Sequence, residues 1–398
     1  MKKVCIFTST RADFGLLSPL IDELTKINDF EVRLFVTGTH LDSQHGYTYH
    51  EIQKMGFQAY YQVPLEINRN SGHHLFLFAE AVQSFVKVLS CDLPDIVILL
   101  GDRFEALAFA LVSNGLGLPI CHLHGGEVTE GALDDGYRHC ITKLSYLHFT
   151  VSDKCRERVI CMGESPARVF NVGALAIDNI KKQKLLNIEE LSRSLKVPIR
   201  LPLAVVTYHP ETMSISADRI QLPAMLRSLE KLIIDKNFCV VMTRSNADQG
   251  NWWIDEQMVG FSEKFKSNVS YLNSVGMVRY LSLVKQADLV IGNSSSGIYE
   301  APALGTPTIN IGHRQHGRDQ AVSILNVSLS NQEITINDLS EKISETIEQG
   351  VKLKAQLCGK NVSIFGDGQT AQSIKTILQK THLERFEKKE FYEELAKI

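Results

Sequence analysis

The stretch LVIGNSSSGIYEAPALGTPTINI, residues 289–311, decides the fold class. Its apolar ends, Leu289–Ile291 and Thr308–Ile311, are typical of buried parallel strands. Between them, the polar run Asn293–Ser296 precedes a predicted short helix, Gly297–Leu304. A strand that runs through a turn into a helix and then a second strand is the repeating unit of a parallel α/β sheet.

The polar turn before this helix predicts an anion-binding site, because the first backbone N–H groups of a helix have no intrahelical partner. Glu300, one turn into the helix, is placed to accept hydrogen bonds from a ribose. Additional donors come from three serines in the turn and two residues after the next strand: Ser294, Ser295, Ser296, Arg314 and Gln315. We interpret the stretch as a diphosphate pocket. The alternative is that the serines only cap the helix.

Length and composition indicate a soluble globular protein of two domains. The chain has 398 residues, 44% of them hydrophobic and 22% charged, with a mean hydropathy of -0.05. Its formal net charge of -3 predicts no general attraction to nucleic acid or membrane. We expect a first domain over 1–175, a second over 176–382, and a tail over 383–398 that packs back on the first domain.

Targeting signals and disulfides are not predicted. The apolar run at the N-terminus stops at Thr8, so it indicates a first strand and not a signal peptide. No apolar run is long enough to span a membrane. The eight cysteines include no Cys-x-x-Cys pair, and Cys5, Cys121 and Cys239 lie in apolar runs. These features predict a cytoplasmic protein with reduced cysteines.

Alternating strand and helix patterns recur along both halves of the chain. The predicted strands are Val4–Phe7, Val32–Val36, Ile96–Leu100, Ile120–Leu123, His148–Val151, Val169–Val172, Ala204–Val206, Phe238–Met242, Leu289–Ile291 and Thr308–Ile311. This repetition predicts two doubly wound, Rossmann-like sheets, whose ligands lie at the carboxyl ends of the strands. The pattern thins between about 173 and 200, where we place the domain junction.

Polar and charged residues follow nearly every predicted strand of the first half. Arg11 stands at a helix start, where a cation opposes the helix dipole and is therefore expected to serve an anion. Asp102 follows a strand end, and Glu127 follows two glycines that let a ligand approach the backbone. Several carboxylates in one cleft suit a general acid and a general base. Helix capping is the alternative for each, and we favour capping or a surface position for Glu105 and Glu130.

The histidines suggest ligand contacts more than a metal site. His122 and His124 lie two apart on a predicted strand and so share one face. Together with Glu127 or His139 they could form a zinc site, but their spacing matches no recognised zinc motif, and zinc is disfavoured. His209 directly follows a strand and precedes Pro210, so a ligand contact is favoured over a core position.

Motifs for other nucleotide enzymes are missing. No Gly-x-Gly-x-x-Gly follows the first strand and no Walker sequence is present, which disfavours a redox dinucleotide or ATP enzyme. A phosphate pocket in the second domain and carboxylates in the first suit an enzyme that acts on a nucleotide sugar. We expect the sugar to lie in the cleft between the domains, near Asp102.

An ordered set of motifs between residue 4 and about 320 resembles the hydrolysing UDP-N-acetylglucosamine 2-epimerases, in particular the branch that makes N-acetylmannosamine for sialic and related nonulosonic acids. The matching motifs are Thr10–Asp13, Gly101–Glu105, His122–Glu127, Asp134-Asp135 with Arg138-His139, His209–Glu211, Ser245–Asp248 including Asn246, Gly292–Gly297 with Glu300, and Arg314-Gln315. Gly366–Gly368 fits the end of the family.

The resemblance implies a glycosyltransferase-B-like fold, a homodimer or higher homo-oligomer, and no metal or other cofactor. It implies that the C1–O bond to UDP breaks as the C2 proton is removed, and that the glycal is then hydrated to free N-acetylmannosamine. The implied acid/base pair is Asp102 and Asp134. The residues implied to bind or support the UDP-sugar are Arg11, Arg103, Arg138, His209, Asn246, Ser294, Ser295, Ser296, Glu300, Arg314 and Gln315.

Two departures from the family pattern affect these expectations. Many relatives have a glutamate where this chain has His124, so either His124 or nearby Glu127 fills that catalytic position. Some relatives have a lysine where this chain has Leu16. The motifs match shared parts of the substrate, so UDP-2,4-diacetamido-2,4,6-trideoxyglucose, on the path to legionaminic acid, is an alternative substrate. A glycosyltransferase and a non-catalytic nucleotide-sugar sensor are alternatives of other classes.

Overall fold

The protein forms two compact units, which are described separately. The computed structural model describes residues 1–43, 46–65, 74–130, 133–211, 215–244, 251–273, 275–327, 334–357, 359–381 and 389–393. Unit 1 comprises Met1–Glu127, Leu133–Asn179 and Phe365–Ile398, and unit 2 comprises Val128–Ala132 and Ile180–Ile364.

Unit 1 is built on a parallel sheet. Its strands are β1 (Lys2–Thr8), β2 (Phe30–Thr37), β3 (Ala59–Val63), β4 (Ile96–Leu100), β5 (Ile120–Leu123), β6 (Leu147–Thr150) and β7 (Val169–Asn171). Their order in the sheet is β3-β2-β1-β4-β5-β6-β7. The helices that follow these strands in the described part of the unit are α1 (Arg11–Thr25), α2 (Tyr49–Lys54), α3 (His74–Leu89), α4 (Phe104–Gly115), α5 (Asp134–Leu144) and α6 (Asp153–Cys161). Short 3-10 helices cover Gly38–Leu41 and Pro166–Arg168.

Unit 2 is built on a second parallel sheet. Its strands are β8 (Leu203–Thr207), β9 (Cys239–Thr243), β10 (Val269–Leu272), β11 (Leu289–Gly292), β12 (Thr308–Ile311) and β13 (Ile324–Val327), in the order β10-β9-β8-β11-β12-β13. The remaining helices of the described chain are α7 (Leu175–Lys182), α8 (Ile188–Leu195), α9 (Ile215–Lys236), α10 (Asn251–Lys264), α11 (Met277–Gln286), α12 (Ser296–Ala303), α13 (Ile336–Leu357) and α14 (Thr370–Lys380).

The strand order of both sheets is that of the Rossmann fold, and it fixes where a ligand binds. In each sheet the chain winds outward from the first strand and then crosses to its other side. The loops after β1 and β4 therefore diverge in unit 1, as do the loops after β8 and β11 in unit 2. A crevice forms at such a reversal, at the carboxyl ends of the strands. The prediction of two Rossmann-like sheets is confirmed.

Central strands are buried on both faces, as their apolar runs predict. Every residue of β8 and β9 is buried, and Cys5, Cys121 and Cys239 lie in the core without a disulfide partner. Among the helices that the structure describes, none has the length and apolar character needed to cross a membrane.

The stretch 173–200, where the sequence pattern thins and we place the domain junction, contains α7 and α8. Helix α8 begins with a capping box in which Asn187 and Glu190 bond each other's backbone N–H groups. Such a helix needs few apolar residues to be stable at its start, because both orphan donors are satisfied locally. The capping box therefore accounts for α8, which the thin hydrophobic pattern did not predict.

Helix α14 belongs to unit 1, whereas the expected second domain extended to residue 382. Its apolar face, which includes Ile374 and Leu378, lies in the core of unit 1. The buried carboxylate of Asp178 accepts the backbone N–H groups of Thr370 and Ala371, at 3.1 and 2.9 Å, and so caps the helix from a distant part of the chain. Later in the tail, the Tyr392 N–H donates to Gly163 O at 3.0 Å, also within unit 1.

Candidate functional site

In unit 2, the loops after β8 and β11 are joined by a buried asparagine. The side chain of Asn293 accepts the N–H of His209 at 2.7 Å and donates to the carbonyl oxygen of His209 at 2.8 Å. Gly292, just before it, has φ +132°, and a side chain there would collide with the Thr207 carbonyl oxygen. Gly292 thus lets β11 lie against β8 closely enough for Asn293 to bridge the crevice.

The serine turn follows Asn293. Helix α12 begins at Ser296, one residue before its predicted start. Ser294 Oγ accepts the N–H of Ser296 at 3.3 Å, while Ser295, at the N-cap position, makes no capping hydrogen bond through its side chain. Among the described contacts, the Ser294 hydroxyl thus accepts a backbone N–H at the helix start and the Ser295 hydroxyl does not cap the helix, so the role of the serines in ligand binding stays a prediction.

Several buried polar atoms around this turn have no hydrogen bond of normal geometry to any residue that the structure describes. They are Tyr280 Oη, Ser296 Oγ, Glu300 Oε2 and Gln315 Oε1. The Ser296 hydroxyl lies near both Tyr280 and Glu300, but these contacts lack normal hydrogen-bond geometry. Buried polar groups without well-formed hydrogen bonds are costly, so a cluster of them favours a place where a polar ligand completes the structure. Burial also raises the pKa of Glu300 to about 7.

The loop after β12 brings its cation to the same crevice. Gln315 Nε2 donates to the Asn293 carbonyl oxygen at 2.8 Å, and Arg314 Nη1 lies 3.5 Å from the same oxygen. Burial, together with the positive charge of Arg314, lowers the pKa of His209 to about 3. His209 is therefore a neutral imidazole beside a guanidinium. Asn246, the remaining residue predicted to bind substrate in this unit, lies outside the described residues.

In unit 1, the loop after β1 is fixed by Asp13. Its carboxylate accepts the N–H groups of Ser9 and Thr10, at 3.0 and 3.1 Å, and Thr10 returns a capping bond to the N–H of Asp13. Arg11, the first residue of α1, is exposed beside this cap, with Nη1 3.5 Å from Glu51 Oε1. The predicted anion-binding arginine thus stands on a rigid turn at the crevice of the sheet.

Arg138 gathers the acidic residues of unit 1. Its buried guanidinium forms an ion pair with Asp102, lies 2.7 Å from Asp135 Oδ1, and donates to the Glu127 carbonyl oxygen at 3.0 Å. The first turn of α5 and the loops after β4 and β5 therefore meet at one cation. Arg138 holds these groups in place. Because its side chain is only 2% exposed, it is too deeply buried to form the main contact with a substrate.

Within the described part of the chain, Asp134 differs from Asp102 and Asp135 in forming no ion pair with a cation. Although part of the residue is exposed, the surrounding protein desolvates its carboxyl group. This desolvation, together with the negative charge of Asp102, raises the pKa of Asp134 to about 6. A carboxyl group that titrates close to neutral pH is suited to proton transfer.

The expectation for Glu105, a cap or a surface position, is wrong. Glu105 is buried, and its carboxylate forms two hydrogen bonds of 3.1 Å with the guanidinium of Arg103. Arg103 itself occupies the N-cap position of α4. Glu105 therefore orients Arg103 at the end of β4. Glu130, which belongs to unit 2, is exposed as expected, and its Oε2 lies 2.5 Å from Nδ1 of His316 in the same unit.

His122 is a structural residue. Its Nε2 lies 2.8 Å from the Gly101 carbonyl oxygen, which can only accept, so Nε2 carries the hydrogen. Its Nδ1 lies 3.1 Å from Thr142 Oγ1. Burial lowers the pKa of His122 to about 3, so the ring is neutral. Because both ring nitrogens are engaged, His122 cannot serve the zinc site considered above.

His124 has a different environment, since the chain leaves the strand before it. Its φ of +66° lies in the left-handed region, which histidine seldom adopts, so strand alternation no longer sets its direction. Its Nδ1 lies 3.1 Å from Glu127 Oε1. The two candidates for the catalytic position are therefore in contact, and they form an imidazole–carboxylate pair.

Tyr280 lies beside the candidate site, although no sequence motif marks it. It lies in α11, where its spacing fits an apolar helix face and predicts only core packing. In the structure, burial raises the pKa of Tyr280, and the hydroxyls of Ser296, Thr207 and Ser294 surround its own hydroxyl. No local signal marks the residue, because its role depends on α11 packing beside the serine turn.

Comparison with known proteins gives a consistent family. Residues 22–379 match the family described as UDP-N-acetylglucosamine 2-epimerase. The chain is 35% identical to GDP/UDP-N,N'-diacetylbacillosamine 2-epimerase (hydrolyzing) of Campylobacter jejuni over 86% of this chain and 88% of that protein. It is also 35% identical to polysialic acid biosynthesis protein P7 of Escherichia coli, over 84% of each chain.

Solved structures agree on the fold. The crystal structure of UDP-GlcNAc 2-epimerase from Neisseria meningitidis bound to UDP-GlcNAc superposes with a TM-score of 0.78, covering 96% of this chain and 100% of that one. The sequence identity is 18%, so this match is evidence for the fold. It supports the expected glycosyltransferase-B-like class, with two Rossmann-like domains.

Proposed function

The chain belongs to the UDP-N-acetylglucosamine 2-epimerase family, and from that membership we propose that it is a hydrolysing 2-epimerase of a UDP-activated 2-acetamido sugar. The products are UDP and the free sugar with inverted configuration at C2. In this proposal the crevice of unit 2 binds UDP, and the acidic group of unit 1 performs the proton transfers.

The observation that carries the proposal is the set of buried polar atoms around the serine turn. A UDP moiety supplies hydroxyl donors and phosphate oxygens that match this set. Ribose hydroxyls would donate to Glu300, while Ser296, the backbone N–H groups of the turn and Arg314 would donate to phosphate. Gly297 and Gly292 allow the backbone of the turn to lie close to neighbouring strands. This close packing fits a crevice in which main-chain groups make much of the contact with the ligand.

The reaction needs two proton transfers and one water. A base removes the proton at C2 while the C1–O bond breaks, so the bonding electrons leave with UDP and a C1–C2 double bond forms. Water then adds its hydroxyl group to C1 while an acid delivers a proton to the opposite face of C2, and the remaining proton of the water restores that acid. The sum is UDP-sugar plus water giving UDP plus the epimeric free sugar, with no net oxidation.

Asp134 and Asp102 are assigned to these proton transfers. With a pKa of about 6, Asp134 is largely ionised at neutral pH yet still a usable base, so we assign it the proton at C2. Arg138 holds Asp102 beside the same helix start. The arginine also offsets negative charge that would otherwise accumulate as the diphosphate leaves.

The contact between His124 and Glu127 suggests how the changed family position works here. We assign His124 as the group that contacts substrate and Glu127 as the carboxylate that orients its ring. An imidazole whose Nδ1 faces a carboxylate presents Nε2 to the reacting atoms, the same arrangement by which other enzymes fix a histidine tautomer. The left-handed backbone at His124 is the kind of strain that persists at functional sites.

Two sugars remain candidates, and the relatives favour both. The Campylobacter protein, and one from Legionella pneumophila that is 28% identical over 95% of this chain, are named for N,N'-diacetylbacillosamine. A 31% identical protein from Neisseria meningitidis is named UDP-N-acetylglucosamine 2-epimerase. The second candidate substrate is therefore UDP-2,4-diacetamido-2,4,6-trideoxyglucose.

Incubation with each UDP-sugar in deuterium oxide, followed by NMR of the products, tests the proposal. We expect UDP and a free 2-acetamido sugar of manno configuration that carries deuterium at C2. The sugar with the larger kcat/KM is the substrate. A product without deuterium at C2 would exclude proton abstraction. UDP release that requires an acceptor sugar would indicate a glycosyltransferase, and UDP binding without turnover of either sugar would indicate a sensor.

A further inference from the structure

Glu211 occupies an unusual place beside the proposed UDP crevice of unit 2. It lies in the loop after β8 and is 7% exposed. Among the residues that the structure describes, its carboxylate pairs with backbone N–H groups and with no lysine or arginine side chain. Its Oε1 accepts the N–H of His313 at 2.7 Å and the N–H of Arg314 at 3.3 Å. A single carboxylate oxygen therefore holds two consecutive residues of the loop after β12.

The loop is shaped to receive this carboxylate. Gly312 has φ +84°, and a Cβ atom at that position would lie 2.2 Å from Glu211 Oε1 and 2.4 Å from Gln221 Oε1. Successive N–H groups after a left-handed residue form a concave site for anions. Here the protein's own carboxylate fills that site. The backbone donors of His313 and Arg314 are consequently engaged, which leaves contact with a diphosphate to the side chains of this loop, among them the Arg314 guanidinium.

Glu211 is held from behind by a second buried group. Its own N–H donates to Asp218 Oδ2 at 3.2 Å, and Tyr208 Oη lies 2.8 Å from Asp218 Oδ1 and 2.7 Å from Gln221 Oε1. Tyr208, Asp218 and Gln221 are at most 4% exposed. Placing two carboxylates in this buried region is costly unless their hydrogen bonds are used, so the arrangement fixes the position of Glu211 closely.

We propose that Glu211 is a positioning residue for Arg314: its carboxylate fixes the backbone of the loop after β12 and thereby directs the Arg314 guanidinium to the diphosphate of the substrate. This inference rests on the proposed function, because it takes UDP as the ligand of the crevice. The guanidinium already lies beside the loop that Asn293 anchors, with Nη1 3.5 Å from the Asn293 carbonyl oxygen. Glu211 acts on the backbone of that arginine and does not itself contact the ligand.

A double-mutant cycle on the full-length chain tests this inference. The variants are Glu211→Ala, Arg314→Ala and the double variant. Titration calorimetry measures the dissociation constant of each for UDP directly, and for uridine by competition with UDP. We expect Glu211→Ala to weaken UDP about tenfold and to change uridine less than about twofold, because uridine lacks the phosphates that Arg314 would bind. In the Arg314→Ala background, Glu211→Ala should have no further effect on UDP.

Glu211→Gln provides the conservative control. Its amide oxygen can still accept both N–H groups, so UDP affinity should stay within about threefold of the wild-type value. Glu211→Asp, which keeps the charge but shortens the side chain, replaces Glu211→Ala in the cycle if that variant does not fold. Equal weakening of UDP and uridine, or an effect of Glu211 that persists without Arg314, would overturn the inference alone. Failure of the wild-type chain to bind UDP would overturn the proposed function, and the inference with it.

Discussion

Lys389, in the C-terminal segment, forms an ion pair with Glu164, with 2.9 Å between Nζ and Oε1. The same ammonium group donates to the carbonyl oxygens of Lys143 and Ser145, at 2.6 and 2.8 Å, where α5 ends. A cation at a helix C-terminus satisfies orphan carbonyls and complements the helix dipole. The tail therefore supports, from its far end, the helix whose first residue is Asp134.

We predict that Lys389→Met lowers the free energy of unfolding by about 1–3 kcal/mol, because Glu164 is buried and loses one of its cations. Denaturant melts of the two proteins measure this difference. The exposed Lys352→Met on α13 is the matched control and should change stability by less than about 0.5 kcal/mol. An equal effect of both substitutions would show that the Lys389 contacts are not stabilising.

The same ion pair predicts how the stability difference depends on pH. Burial alone would raise the pKa of Glu164, but hydrogen bonds from His148, Lys143 and Lys389 lower it below its ordinary value of 4.5. A carboxyl group with a lowered pKa contributes stability above pH 4.5, and that contribution is lost as the pH falls through the folded-state pKa. The gap between wild type and Lys389→Met should therefore narrow below about pH 4.5. A constant gap down to pH 3 would contradict this origin.

Asp134 predicts an ionisation in the pH profile of activity. Its pKa is about 6 in the free chain, and a base acts in its ionised form. We therefore expect kcat/KM to fall about tenfold per pH unit below pH 6 and to level off above it. Asp134→Asn should reduce turnover about a hundredfold or more and remove this limb. Asp135→Asn, which changes the adjacent carboxylate, is the control. Whatever its effect on turnover, its kcat/KM should still fall below about pH 6.

The limits of sequence-based prediction in this fold follow from strand position. The sequences of central strands such as β4 and β11 are continuous apolar runs, because helices cover both of their faces. The missed strands β3, β10 and β13 are edge strands, and each has partly exposed residues that break such a run. Only the pairing with a neighbouring strand identifies them, and that pairing is not encoded locally.

For the site, the sequence predicts the residues that follow strand ends, since parallel topology brings those ends to one edge. This reasoning finds Asp102, His209 and the serine turn. It cannot find Tyr280 or the buried pairing of Glu105 with Arg103, because those depend on how a helix or loop packs against its neighbours. For the same reason the sequence could not show that His124 and Glu127 are in contact. The left-handed backbone at His124 brings the two side chains together.

The backbone of His124 allows its functional and structural roles to be separated. A glycine at φ +66° is unstrained. An alanine at this position must keep the left-handed backbone of the histidine, which costs about 1 kcal/mol relative to glycine. Both His124→Gly and His124→Ala remove the imidazole, so both should lower kcat about a hundredfold. His124→Gly should nevertheless be about 1 kcal/mol more stable than His124→Ala, measured by denaturant melts. Equal activity of wild type and either variant would remove His124 from the proposed mechanism.

Asn293 is expected to couple stability and UDP binding, because its side chain joins the loops after β8 and β11. Asn293→Ala removes both hydrogen bonds to His209 and leaves a buried N–H and a buried carbonyl oxygen without these partners. We expect a loss of about 2–4 kcal/mol in the free energy of unfolding and a dissociation constant for UDP that is larger by about tenfold or more. Denaturant melts and titration calorimetry measure the two effects.

Asn310→Ala is the matched control for this prediction. Asn310 is also buried in unit 2, and its Nδ2 donates to Asn326 Oδ1 at 2.8 Å between β12 and β13, apart from the bridge to His209. It should lower stability by about 1–2 kcal/mol and leave UDP affinity within about threefold of wild type. If both asparagine variants weakened UDP to the same extent, the bridge between Asn293 and His209 would have no specific part in binding, and the affinity would instead follow the stability of the sheet.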